Sequence, residues 1–331
     1  MLRILGLGHN LIQGEIPQQI EDLQNLEILS IFSNTLLRGP LPPTISNLTN
    51  LRIIDLSNNS LTGEIPRQIN RTRLIYLDLT NNSLTGPIPP SICNVMSLTT
   101  LDLSHNYITG VIPSEIGGLL NLNKLKLKGN RLTGPIPPSI GNLTKSTMLF
   151  LSDNNFTGYI PNTLGTLRDL QGLILSNNSL IGQIPATIGS LTNLQVFDVS
   201  YNMLVKNIPS ELCRLGILLL LDLRGNKFAG PIPTCIGDLV SLAGLRLASN
   251  SFSNSIPSTL TRLKHMVLLD LSYNSLNGAL QIGNWKNATY LDFSANQFSG
   301  AIPVTLETSP REDEVPQLFF NGRSILIGVL S

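Results

Sequence analysis

Cysteine, aromatic and charged residues are all scarce in this chain. Three cysteines in 331 residues, at positions 93, 213 and 235, cannot frame a disulfide-stapled scaffold and lack metal-ligand spacing. Charged residues make up 13% and the net charge is +1, which excludes the basic footprint of a nucleic-acid binder. His9, His105 and His265 are far apart, and no glycine-rich phosphate loop or His-Arg-Asp motif accompanies them. Asp292-Phe293-Ser294 has a passing likeness to a kinase metal-binding tripeptide, but it falls on an alternating strand pattern. The apolar stretch from Gln317 to Ser331 is far too short to cross a bilayer, so no transmembrane segment is expected. No catalytic residue, metal ligand or cofactor is expected.

What the chain has instead is a period. Asn10, Asn34, Asn59, Asn82, Asn106, Asn130, Asn154, Asn178, Asn202, Asn226, Asn250, Asn274 and Asn296 mark thirteen copies of one unit. The copies are numbered here as coils 1 to 13. In coil 5, LTTLDLSHNYITGVIPSEIGGLLN, the run Leu101-Asp102-Leu103 alternates with period two and predicts a short strand. After Asn106 the apolar spacing fits neither helix nor strand, so the chain must curve back in turns. One such unit buries too little apolar surface to order itself and must stack on its copies. Stacking at ~4.8 Å per rung predicts a parallel inner sheet roughly 60 Å long. The asparagine side chain can bond backbone groups left unpaired in a tight turn. The glycine four residues later permits a positive φ or a close approach, and the following proline removes a donor where no ladder partner is expected. The repeat predicts one domain over 1–306. Beyond it, 307–331 reads as an irregular tail, an end cap, or a degenerate fourteenth turn around Leu318 and Asn321.

The pattern LxxLxLxxNxLxGxIPxxIGxL, with Ile65-Pro66, Ile88-Pro89, Ile112-Pro113, Ile136-Pro137, Ile160-Pro161 and Ile184-Pro185, resembles the plant-specific subclass of leucine-rich repeats. Parallel connections are nearly always right-handed, so the expected fold is a curved right-handed solenoid with an irregular or 3-10 outer face. The resemblance implies the extracellular ligand-recognition domain of a plant receptor-like kinase or receptor-like protein. Its ligand would be a peptide or protein, with a shorter leucine-rich repeat kinase as co-receptor, at the outer face of the plasma membrane. A secreted polygalacturonase inhibitor is the alternative by resemblance, although its cysteine-rich caps are not seen here. A passive scaffold or gene fragment is the third. Leu2 stands at the first leucine of a coil with no basic-then-apolar leader before it, so a fragment of a longer secreted protein is expected.

Several residues are singled out. Cys213 and Cys235 fall on the outer side of adjacent coils, close enough to bridge, whereas Cys93, five coils away, should remain a thiol. Among eight Asn-x-Ser/Thr sequons, Asn47, Asn70, Asn142, Asn155 and Asn287 are the expected glycan acceptors. On the inner face the usual outward pair is Asp then Ser, as in Asp102/Ser104. Lys124, Lys126 and Lys128 in coil 6, Met148 and Phe150 in coil 7, Ile174 in coil 8, Arg224 in coil 10 and Arg246 in coil 11 depart from it. A basic patch beside exposed apolar side chains predicts a recognition surface for an extended peptide with an acidic group. The competing expectation is that the lysines only neutralise the carboxylate row of Asp55, Asp78 and Asp102.

Overall fold

The computed structural model describes residues 2–301 and the two strands Leu318–Phe320 and Arg323–Ile325. The alternating triplet of every coil is a strand, from Ile4–Gly6 to Tyr290–Asp292, and the thirteen pair in chain order as one parallel sheet. Register is strict: Leu101 sits opposite Leu77 on one side and Leu125 on the other. All seven apolar positions of coil 5 (Leu98, Leu101, Leu103, Ile108, Ile112, Ile116 and Leu119) are buried in one continuous core, whose end coils are covered less completely, as at Leu5 and Leu291. Phe156, Phe197, Phe228 and Phe252 are fully buried in it.

Among the described residues the outer wall consists of eleven 3-10 turns, from Gln18–Asp22 to Ser258–Arg262. These turns pack so closely that a Cβ on Gly141 would stand 2.5 Å from the carbonyl oxygen of Thr163 in the next coil. A hydroxyl ladder crosses the same seam: Thr163 donates to the carbonyl of Pro138 at 2.6 Å and Thr187 to that of Asn162 at 2.8 Å. Cys235 takes this ladder position in coil 10 and bridges Cys213, with Cα atoms 5.8 Å apart. Cys93 is a buried free thiol, which burial pushes up to about 12.

The asparagine of each coil closes the turn after the strand. Asn106 donates through Nδ2 to the carbonyls of Leu79, Leu103 and Ser104 at 2.9–3.2 Å and accepts from the Leu84 N–H at 3.0 Å. The residue before each of these asparagines adopts a left-handed conformation in all thirteen coils, φ 50–57° at the non-glycine positions. That explains His9, Asn58, His105 and Asp153 there, residue types that tolerate this region better than most.

Beyond the asparagines runs an eight-stranded parallel sheet, from Thr133–Pro135 to Gln297–Ser299, which the periodicity does not foretell. Coil 12 lacks a 3-10 turn among the described residues, and the buried Trp285 fills the core at that level. Leu318–Phe320 and Arg323–Ile325 pair antiparallel with each other. They add no fourteenth rung to the thirteen-stranded sheet; the rest of the expected tail lies outside the described residues.

Candidate functional site

The inner strands turn alternate side chains outward, and most coils use that face for local bonding. Asp198 Oδ1 accepts from Ser200 N at 2.9 Å and Ser200 Oγ at 2.6 Å. Asp55 and Asp270 hold Ser57 and Ser272 in the same way. Asp78, Asp102, Asp222 and Asp292 accept the N–H two residues on. The Asp–x–Ser default is therefore a clasp on the backbone after the strand. Coils 6, 7 and 8 place Lys126, Phe150 and Ile174 at the aspartate position, and coil 11 places Arg246 there. Each forgoes the clasp.

The basic candidates are held by carboxylates. Lys126 Nζ lies 3.2 Å from Asp102 Oδ2, and Lys128 Nζ 3.6 Å from Asp153 Oδ2. Arg224 grips Asp222 through Nη2 at 2.9 Å and through Nε at 3.0 and 3.1 Å to its two oxygens, and lies over the Tyr201 ring. Arg246 Nη1 reaches the same carboxylate at 3.4 Å. Lys124, half-buried on the neighbouring position, forms no ion pair among the described residues. The surplus positive charge suggested by the sequence thus shrinks to one lysine. The expectation of charge balance holds for Lys126, which leans on Asp102.

The apolar candidates gather, with one correction. Met148 is not an exposed contact: it is 3% exposed and clusters with buried Val196 and Leu220, while Phe150 and Ile174 are half-buried against them. The coil between Met148 and Val196 carries Gly172 at that position, so the two side chains close over a residue with none. Likewise Leu220 lies over Gly244, where a Cβ would come within 2.6 Å of it. The result is a low apolar shelf across coils 7 to 10. Val196 and Leu220 belong to it although their place in the pattern passes for ordinary strand leucine and valine.

Two acids on this face carry raised carboxyls. Burial pushes Asp198 up from its ordinary value, with Asp222 adding to the shift against the bonds from Ser200 and Ser176. Burial also raises Asp78, countered by the Thr80 N–H, and the Tyr76 hydroxyl donates to it at 2.9 Å. Among the described residues no group of three His, Cys, Asp or Glu could hold a metal ion, and no helix is long and apolar enough to cross a membrane. Of the expected glycan acceptors, Asn70, Asn142, Asn155 and Asn287 are exposed, while Asn47 is half-buried and donates to Glu21 at 2.6 Å.

Family models agree with this architecture. A leucine-rich repeat region matches residues 148–286, a leucine-rich repeat model matches 72–132 and 96–156, and another matches 50–71. The chain is a leucine-rich repeat protein. No curated protein matches it by sequence, but solved structures do. The ectodomain of the plant membrane receptor kinase GASSHO1/SCHENGEN3 from Arabidopsis thaliana, in complex with CASPARIAN STRIP INTEGRITY FACTOR 2, is 36% identical over 92% of this chain, with a TM-score of 0.81. A TDR receptor is 33% identical over 92% of this chain, with a TM-score of 0.89. This leucine-rich repeat chain spans only 40% and 53% of those two structures. A leucine-rich repeat protein of Leptospira interrogans is 31% identical over 90% of this chain and 79% of its own, with a TM-score of 0.67. Sharing the repeat does not settle the function, which must be argued from the concave face.

Proposed function

We propose that this leucine-rich repeat chain is the ligand-recognition part of a plant cell-surface receptor, and that it takes an extended peptide across its concave face from coil 6 towards coil 11. One observation carries the reading. Three consecutive coils give up the aspartate clasp, and two of them replace it with half-buried apolar side chains, Phe150 and Ile174. An apolar shelf on a face otherwise lined by acids serves contact with something outside the chain better than it serves the fold. The receptor kinase ectodomain that this chain resembles was solved in complex with CASPARIAN STRIP INTEGRITY FACTOR 2, and this supports a peptide or protein partner.

Lys126 and Arg224 are four coils apart, roughly 19 Å at ~4.8 Å per rung, and about six residues of extended peptide cover that span. Lys124, Lys126 and Lys128 would flank one end of such a ligand, and Arg224 and Arg246 the other. Met148 supports the shelf from below. By resemblance, ligand binding would recruit a leucine-rich repeat kinase as co-receptor, with the domain outside the cell and glycans on Asn70, Asn142, Asn155 and Asn287, and on Asn47 once its bond to Glu21 is released.

The test is a bead-displayed library of random linear peptides offered to the chain and to single-site variants, followed by calorimetric titration of the selected peptides. Binding should fall stepwise for Lys126→Ala, Phe150→Ala and Arg246→Ala, and Ser104→Ala should change little. Equal selection and equal affinity in all four variants would place the site elsewhere.

A further inference from the structure

We infer that the concave shelf selects a peptide segment with an apolar residue and, two positions away, an arginine or lysine whose cation sits on Asp198. The inference rests on the peptide-binding reading above and gives its ligand a chemistry. Lys126, Phe150, Ile174, Asp198 and Asp222 stand in register, one per coil. Lys126 at one end is occupied by Asp102. Asp198 at the other end is half-buried; the Ser200 N–H and Oγ both donate to its Oδ1, and the Ser176 side chain adds a third bond. An ionised carboxylate offers about four acceptor sites, so capacity remains.

Among the described residues Asp198 forms no ion pair. The two arginines of the neighbouring coils do not serve it, because both are drawn to Asp222: Arg224 by three contacts of 2.9–3.1 Å and Arg246 at 3.4 Å. Asp198 is thus the acid that borders the shelf without a cation. Asp55 and Asp78 also form no ion pair, but their partners in register are Ser30, each other and Asp102, not apolar residues. Burial beside Asp222 raises the Asp198 carboxyl, as expected of a charge with too little compensation.

The spacing follows from strand geometry. Residues on one face of an extended peptide repeat every second position, ~6.6 Å apart. The midpoint of Phe150 and Ile174 lies one and a half rungs from Asp198, ~7 Å. An apolar side chain on the shelf therefore brings the residue two positions along over Asp198. A basic residue there gains a charge-assisted bond, whereas an acidic one meets Asp198 and Asp222 together. This reverses the acidic ligand that the lysine and arginine positions suggest in the sequence, because those cations are already paired.

The probe is a bead-displayed set of end-capped linear peptides with fixed Leu-x-Arg, Leu-x-Gln or Leu-x-Glu cores and random flanks. It is offered to the parent chain, Asp198→Asn and Phe150→Ala. On the parent, Leu-x-Arg should be retained over Leu-x-Glu by about tenfold or more. Asp198→Asn should bring the classes near parity while leucine cores are still selected. Phe150→Ala should weaken every class and keep the arginine preference. The preference on the parent chain needs no variant, so it remains decisive if Asp198→Asn folds poorly. Parity or a glutamate preference on the parent, or an arginine preference that survives Asp198→Asn, would overturn the inference and leave the shelf as the site. Indifference of every class to Phe150→Ala would overturn both readings.

Discussion

At the scale of single residues, the side chains with a repeated structural job were legible and those with a local electrostatic job were not. Asn106 could be assigned its donor and acceptor work from chemistry alone, and its four bonds bear this out. The sequence shows the Asp–Ser pair as an outward default, but its bond from backbone to carboxylate emerges only when φ and ψ place Ser200 N 2.9 Å from Asp198 Oδ1. Met148 passes for an exposed side chain in the sequence because alternation says which face a side chain leaves from. It does not say that Gly172 next door lets Met148 fold down.

Asp198 also permits a test of sign. Its folded carboxyl is raised, so its favourable contribution is fully present below the ordinary value of 3.8 and is lost as pH rises through the folded value. The facing groups are Ser176, Ser200 and Asp222, the last of these holding Arg224 and Arg246. Asp198→Asn should therefore melt higher than the parent at pH 7, and the gap should close below about pH 4. Equal or lower melting at pH 7 would mean that the ionised carboxylate is a net stabilising acceptor.

At the scale of elements, the inner strands and the 3-10 wall follow from the repeat, while the second sheet does not. Its strands contain glycine and proline, as in Lys227–Pro231, which propensity disfavours. They pair because the repeat lays equivalent extended segments side by side whatever their composition, with a slip of two residues, as in Asn155 opposite Thr133. The glycine of the IGxL phrase has a similar cause, a close approach between coils that no single coil displays. Gly141→Ala should cost about 1–3 kcal/mol in chemical denaturation, because the backbone of Thr163 must move. Gly216→Ala, with nothing within 4 Å of its Cβ, should be neutral or slightly stabilising. Equal costs at the two sites would contradict the account of the seam. The cysteine pair was within reach of sequence reasoning because in a solenoid the distance between coils is fixed by strand spacing.

At the scale of the whole molecule, a one-dimensional stack makes the core nearly the same at every level and leaves function to departures from the pattern. Fold was legible because thirteen copies repeat the same constraint. The departures on which the proposed site rests, Lys126, Phe150 and Ile174, were legible in the sequence, whereas the charge of that face was not, because ion pairs such as Arg224–Asp222 depend on which rotamers meet across coils. The central claim is that the shelf of coils 7 and 8 touches the ligand. The most direct measurement is the affinity of one library-selected peptide for the parent, for the Phe150→Ala/Ile174→Ala double variant, and for Tyr159→Ala on the exposed second sheet. The account predicts a loss of about tenfold or more for the double variant and unchanged binding for Tyr159→Ala. Parent-like affinity in the double variant, or an equal loss at Tyr159, would contradict it.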